Sequence, residues 1–320
     1  MKYCVTGATG FLGGHLARQL VTAGHQVRAL VRSPESATAL RALGVELHPG
    51  DITDRASLAR PLDGVDGLFH CAAWYKVGVR DKRPAQRVNV DGTRNVLEAA
   101  RERGVPKSVY TSTLAVFGDT HGKLVTEEYR HDGPHLSEYD RTKWEAHYLV
   151  PLPMIAQGLP LVIVQPGLIY GPGDTSPVQR TLDQYVARKL PMTPRGTAYC
   201  WAHVDDVAHA HVLAMEHGRA GESYILAGPP HTLIEAFEIA ERITGIPAPR
   251  VHPAPGVLRA LAAVMGVVER AVPLPEAYTA EGLRAIAGVT YLGDNAKARR
   301  ELDYAPHPLE IGLRDVLPAR

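Results

Sequence analysis

Cysteine, charge of one sign and long apolar runs are all scarce in this chain of 320 residues. Its three cysteines, Cys4, Cys71 and Cys200, are odd in number and widely spaced. They form no CxxC pair and no metal-ligand spacing, so they read as reduced thiols in a cytosolic protein. Thirty-five Lys and Arg face 34 Asp and Glu, a formal net charge of +1. That balance removes the electrostatic footprint of a general nucleic-acid binder. The most apolar late stretch, Val257 to Val272, is broken by Arg259, Glu269 and Arg270, and is too short and too charged to span a bilayer. Thirty glycines and 25 prolines are too few for a low-complexity chain. Met1-Lys2-Tyr3 runs at once into a glycine-rich motif, which leaves no room for a signal peptide. The expectation is a cytoplasmic protein with a small-molecule partner and neither a nucleic acid nor a membrane.

An apolar fraction of 45% is ordinary for a globular chain, and the length fits about two domains or one large α/β unit with an appendage. The first half alternates β-branched runs with helical patterns. Strands are predicted at 3–6, 26–31, 45–48, 67–71 and 108–111, and helices at 12–23, 34–43, 85–103 and 137–157. Such alternation implies a doubly wound parallel sheet with helices on both faces. Only six of the 25 prolines fall in residues 1–150. Strands nevertheless recur at 161–165 and 223–226, followed by helices near 232–245, 257–272 and 295–302. The chain therefore divides into a dinucleotide-binding domain over 1–165 and a smaller, mostly helical substrate lobe over 166–320, interleaved through the return strand near 223–226. The apolar positions of 257–272 predict a helix packed on that lobe or covering its pocket.

Thr6-Gly7-Ala8-Thr9-Gly10-Phe11-Leu12-Gly13 links the first strand to the first helix. Glycines at 7, 10 and 13 give a tight turn, close backbone approach to a pyrophosphate and close helix–strand packing, with the anion on the helix N-terminus. Gly7, Thr9, Gly10, Phe11, Leu12 and Gly13 are the first cofactor candidates. The second strand ends Val31-Arg32-Ser33, where an NAD site expects a carboxylate for the ribose 2′-OH. Arg32 instead matches a 2′-phosphate bidentately, so NADP(H) is favoured, NAD(H) remains possible, and a solvated loop charge is the alternative. Arg28 is an auxiliary contact or merely exposed. Asp51 and Ile52 are placed to flank an adenine, by carboxylate and by aliphatic chain. The small residues Cys71, Ala72 and Ala73 let a cofactor lie against the fourth strand.

Tyr139 and Lys143 stand at i and i+4, on one helical face, with Ser137 and Asp140 as a capping box. An ammonium beside a phenol lowers its pKa and tunes a proton donor for a carbonyl. A solvated helical pair is the alternative. Tyr110-Thr111-Ser112-Thr113 ends a strand with hydroxyls where parallel sheets bind ligands, so Thr111 and Thr113 join the candidates.

With these residues in place the chain resembles the extended short-chain dehydrogenase/reductases, the NAD(P)-dependent epimerase/dehydratase family, over essentially its whole length. The matching stretches are TGATGFLG, HCAA at 70–73, NVDGTRN at 89–95, YTST…FG, YDRTK, QPGLIYGPGD at 165–174 and HVDDVA at 203–208. Within the family it is most similar to the dihydroflavonol-4-reductase-like branch, which includes hopanoid-associated epimerase-like proteins. The resemblance implies Tyr139 as general acid/base, Lys143 as pKa modulator and nicotinamide-ribose ligand, and Thr113 as the third catalytic residue. It also implies cofactor contacts from Asn89 and from Pro166, Gly167 and Leu168, and a homodimer built on helices 85–103 and 137–157.

Departures from the family pattern narrow the chemistry. Dehydratases carry an Asp-Glu pair after the Thr; here Leu114-Ala115 follow Thr113. Sugar-nucleotide epimerases place Arg and Asn where this chain has Gln165 and Leu168, and an Arg for the diphosphate where it has Tyr199, although Arg195 stands nearby as a substitute. Trp74, Tyr75, Leu168, Tyr199 and Trp201 then suit a partly hydrophobic carbonyl substrate, each reading equally as core packing. His203, His209 and His211 lack metal-site spacing, so no metal is expected; His121, His131 and His135 read as surface. The leading expectation is an NADP(H)-dependent carbonyl reductase or alcohol dehydrogenase. The alternatives are a UDP-sugar 4-epimerase with tightly bound NAD and a non-catalytic cofactor-binding subunit.

Overall fold

The computed structural model describes residues 1–318. Short β-branched runs form seven parallel strands in one sheet: β1 (Lys2–Thr6), β2 (Gln26–Val31), β3 (Glu46–Pro49), β4 (Gly67–His70), β5 (Ser108–Thr111), β6 (Leu161–Pro166) and β9 (Ser223–Leu226). Their spatial order is β3-β2-β1-β4-β5-β6-β9. The order reverses between β1 and β4, which opens a crevice beyond the carboxyl ends of those strands. Helices Phe11–Thr22 and Val204–Glu216 bury Leu16, Leu20, Ala208 and Ala214 against one face of the sheet. Helices Thr93–Glu102 and Glu138–Leu149 pack Val96, Leu97 and Ala146 on the other. The sheet is doubly wound, as expected.

The smaller lobe is less helical than the sequence predicts. It holds a second sheet in which β8 (Ala198–His203) is flanked by β7 (Leu168–Tyr170), β10 (Pro230–Thr232) and β11 (Thr290–Tyr291). Helices Pro177–Val186 and Leu233–Thr244 enclose its core around Tyr170, Tyr185, Trp201 and Phe237. Thr232 and Glu235 close a reciprocal capping box on the second of these, and Gly245 ends it in the left-handed conformation at φ 71°.

Three helices differ from expectation. The predicted 34–43 helix shrinks to Thr38–Ala42. The long 85–103 segment is helical but widens into a π-helix over Gln86–Gly92. The 137–157 segment breaks at Val150, where Pro151 has no N–H to continue the ladder. Helix Pro255–Val268 fully buries only Leu258 and Ala262, so most of its apolar positions neither pack on the lobe nor cover a pocket. No helix among the described residues is long and apolar enough to cross a membrane.

Candidate active site

The Gly-rich turn lies at the crevice. Gly7 adopts φ +76°, and a Cβ there would meet the Ala72 backbone nitrogen at 2.6 Å; one on Gly13 would meet the Gly7 carbonyl oxygen at 2.2 Å. Strand, turn and helix therefore approach more closely than any side chain permits. Gly10 caps the first helix without a side-chain hydrogen bond, and Thr9 and Gly10 are exposed. The first-turn amides thus remain available for a phosphate. Ala72 and Ala73, half-exposed, form the opposite wall. These features fit a dinucleotide pyrophosphate. Arg32 is exposed just beyond β2, with no carboxylate partner among the described residues. Arg28 is instead engaged: its guanidinium donates to Glu46 at 3.1 Å and to the Asp63 carbonyl at 2.6 Å.

The two residues expected to flank an adenine, Asp51 and Ile52, follow β3 directly. The Asp51 carboxylate accepts from the Thr53 amide and hydroxyl, both at 2.8 Å. Ile52 is buried in the core beside Gly92. Asn89 is likewise used internally. Its amide accepts from the Trp74 N–H at 2.7 Å and donates to the Trp74 carbonyl and to the Thr142 hydroxyl, both at 2.9 Å. It ties the π-helical segment and the loop after β4 to the helix that carries Tyr139.

That helix begins at Ser137, whose hydroxyl accepts from the Asp140 N–H at 3.1 Å. A residue far away in the chain satisfies the next free amide of the helix start: Glu281 accepts from the Glu138 N–H at 2.9 Å. The Asp140 carboxylate, buried, accepts from the Tyr291 hydroxyl at 3.1 Å. Burial pushes it up to about 7. Tyr291 stacks on Tyr199, ring centroids 6.0 Å apart and nearly parallel.

The Thr113 side chain lies beside the Tyr139 phenol and favours its ionised form. Burial holds the phenol up at about 12, against the lowering expected from Lys143. The two residues do share a helical face, but the Lys143 ammonium is drawn to β5. It donates to the Thr111 carbonyl at 2.9 Å and to the Tyr110 hydroxyl at 3.3 Å, and burial lowers its pKa to about 7.

A polar chain that the sequence did not disclose continues from there. Tyr110 stacks on His70, and His70 lies between the hydroxyls of Thr6 at 2.7 Å and Thr93 at 3.0 Å. The Thr111 hydroxyl meets His211 at 2.9 Å and the Cys71 thiol at 3.4 Å; Ser112 meets His147 at 2.9 Å. Burial depresses His70 and His147 to about 3 and His211 to about 4, so all three are neutral hydrogen-bonding groups. The signal for His147 was its i+4 spacing from Lys143; for His70 and His211 the sequence carried none.

Of the expected substrate residues, Trp74, Leu168 and Tyr199 are half-buried and Tyr75 is exposed. Trp201 is a correction. It is 4% exposed and packs edge-on against Tyr170 in the lobe core. Pro166 is buried at the end of β6, and Gly167 approaches β8 so closely that a Cβ would meet the Cys200 carbonyl oxygen at 2.1 Å. No group of three His, Cys, Asp or Glu among the described residues is placed to hold a metal ion.

Residues 3–227 match the model of the NAD dependent epimerase/dehydratase family. The chain belongs to that family. Its members bind a nicotinamide cofactor, the extended short-chain dehydrogenase/reductase class that the motifs resemble. The chain is 32% identical to sterol demethylase protein B of Methylococcus capsulatus, covering 99% of this chain and 97% of that one. It is 35% identical to the 4-hydroxy-2-methyl-3-oxo-4-farnesyl-3,4-dihydroquinoline-1-oxide ketoreductase of Stigmatella aurantiaca, covering 95% and 92%. Among solved structures of the family's fold, gox2253 superposes with a TM-score of 0.86 at 35% identity, covering 98% and 96%.

Proposed function

We propose that this family member is an NADP(H)-dependent reductase of a small, partly hydrophobic carbonyl compound. The observation that carries the reading is the grouping at the end of β5: Tyr139 with Thr113 beside its phenol, and Lys143 buried one helical turn on with its ammonium on the Thr111 carbonyl. The bound cofactor would supply hydride to the carbonyl carbon. Gly7, Gly10, Gly13, Ala72 and Ala73 would hold it, and Arg32 would receive its 2′-phosphate. The Thr113 hydroxyl orients the substrate oxygen, and Tyr139 delivers a proton to it. A phenol held at about 12 carries its proton at neutral pH, the form a general acid needs, and a nearby cation that lowers this value would strengthen it as a donor. Lys143 stands on the same helical face as the phenolate so formed and can return a proton to it.

The surroundings support a neutral substrate. Leu114 is buried and opens a short helical turn after Thr113, in place of an elimination pair. Gln165 is fully buried and Tyr199 is stacked on Tyr291, so neither offers a fork for a diphosphate. Two relatives bear names of enzymes acting on lipophilic compounds, a sterol and a farnesylated ketone.

The test is a screen of aldehydes, hydrophobic ketones and UDP-glucose with NADPH and NADH, followed at the reduced-nicotinamide absorbance. Ketone-dependent NADPH loss is expected, with Tyr139→Phe lowering kcat at least a thousandfold while cofactor affinity stays within about threefold. Epimerisation of UDP-glucose without net cofactor consumption would overturn the reading. Arg32→Asp is expected to shift the preference toward NADH, measured as the ratio of kcat/KM for the two cofactors; an unchanged ratio removes Arg32 from the site.

A further inference from the structure

The Tyr139 helix buries a further ionisable group that the reaction leaves unused. Asp140 is 4% exposed, and no cation pairs with its carboxylate among the described residues. Its neighbours are neutral: the Tyr291 phenol donates to it at 3.1 Å, and the Ser137 hydroxyl lies against it. Tyr291 is held in turn by its stack on Tyr199, with Asp119 accepting from the adjoining Thr290. From helix Ala280–Ala285 another carboxylate, Glu281, faces Asp140, its own charge paired with Lys82. Lys143 and His147 stand three and seven residues on along the Tyr139 helix. The ammonium is turned to the Thr111 carbonyl, however, and the imidazole to the Ser112 hydroxyl. Arg141 is taken by Glu138 and Glu145.

A carboxyl so placed becomes an unpaired charge whenever it ionises, and a buried charge acts on its neighbours with little screening. Its neighbour in the chain is Tyr139. Giving a proton to a carbonyl oxygen leaves that phenol as a phenoxide, one residue from Asp140. With Asp140 neutral, no like charge opposes the phenoxide. With Asp140 ionised, the two negative charges repel, and the phenol holds its proton more tightly. Tyr291 acts on the same balance from the other side, since its hydroxyl donates to the carboxylate and favours the ionised form.

We propose that Asp140 sets how readily Tyr139 releases its proton, that carbonyl reduction slows as Asp140 ionises, and that Tyr291 fixes the pH at which this happens. Burial brings the carboxyl up to about 7, so the slowing falls in the neutral range. The proton passes from the Tyr139 oxygen to the carbonyl oxygen, and Asp140 neither gives nor takes one in the step. It acts only through Tyr139. The effect on rate rests on the reductase reading; the coupling of the two side chains does not.

The coupling is tested without substrate or cofactor, by the phenoxide absorbance of Tyr139 as pH is raised. It is read as the difference between the wild type and Tyr139→Phe, and again between Asp140→Asn and the corresponding double variant. Tyr139 should ionise at a pH lower by at least about half a unit in the Asp140→Asn background; no change overturns the proposal, whatever the chain reduces. The rate is tested with NADPH and a ketone, following kcat from about pH 5.5 to about pH 8.5. Over that range the wild type should lose at least about threefold more than Asp140→Asn. Tyr291→Phe, which keeps the ring stack, should move the fall to higher pH. Parallel profiles overturn the proposal. So does a steeper fall in Asp140→Asn, which would show the carboxylate serving the Lys143 ammonium instead. Unfolding temperatures confirm that the variants fold. A wild type that reduces no ketone fails the reductase reading alone, and the phenoxide titration still decides the coupling.

Discussion

Burial makes Asp140 keep its proton well above the usual carboxylate range, against the pull of its hydrogen-bond donors. Its carboxyl, next in sequence to Tyr139, is pushed up to about 7 by burial, against about 3.9 in an unfolded chain. The folded state therefore binds the extra proton between those values. The stability this contributes is complete below pH 4 and is lost as pH rises through 7. Asn keeps the hydrogen bond from Tyr291 without a charge. Asp140→Asn should accordingly gain on the wild type as pH rises, its unfolding temperature relative to the wild type being higher at pH 8 than at pH 5. A difference independent of pH would show that the carboxyl titrates normally. His70, His147 and His211 act in the opposite sense, since their depressed values cost stability as pH falls below about 6.5. The comparison with the variant isolates the Asp140 contribution. None of this was visible in the sequence, because burial beside Tyr291 joins residues 151 positions apart.

Among the elements, the turn from β1 into the first helix is the most constrained. The Gly13 Cβ position lies 2.2 Å from a backbone oxygen that cannot rotate away. Gly13→Ala must therefore push the helix off the strand, costing about 1–3 kcal/mol and misaligning the amides that face the crevice. A lowered unfolding temperature together with at least tenfold weaker NADPH binding is expected. This turn was fully legible, since glycine spacing between a strand and a helix has one steric meaning. The strands of the large sheet were legible too, as apolar runs punctuated by Gly and Pro. β8 was not, nor were its partners β7, β10 and β11. Strands of two or three residues carry no periodicity, and pairing with β8 alone makes them strands. The π-helical widening at Gln86–Gly92 escaped for a related reason: its residues have ordinary helical composition, and the register is set by Asn89 reaching Trp74 and Thr142. Trp201 was misread because β8 itself was not predicted, and a strand buried at nearly every position shows no face that meets a cleft. Arg28, by contrast, could have been paired with Glu46 once β2 and β3 were recognised as neighbours.

At the scale of the whole molecule, one of the links between the two parts is a carboxylate. Glu281, nearly buried, accepts from the first amide of the Tyr139 helix and pairs with Lys82 at 2.7 Å. It thereby fixes the lobe to both the Tyr139 helix and the loop after β4. Glu281→Ala leaves a helix amide and a lysine without their partner, which should destabilise the fold by about 1–2 kcal/mol. If the lobe positions the substrate through this contact, KM for the ketone should rise while NADPH affinity stays within about threefold. An unchanged KM would confine Glu281 to a purely structural role.

β8 draws its partners from residues 168–170, 230–232 and 290–291, whereas six of the seven strands of the large sheet lie within the first 166 residues. During synthesis the ribosome must release almost the entire chain before the smaller sheet can close. The large sheet can gather its strands well ahead of that moment. Thr113, Tyr139 and Lys143 are then carried on an early-folding half, and the smaller sheet that stands beside them is the last part of the molecule to exist.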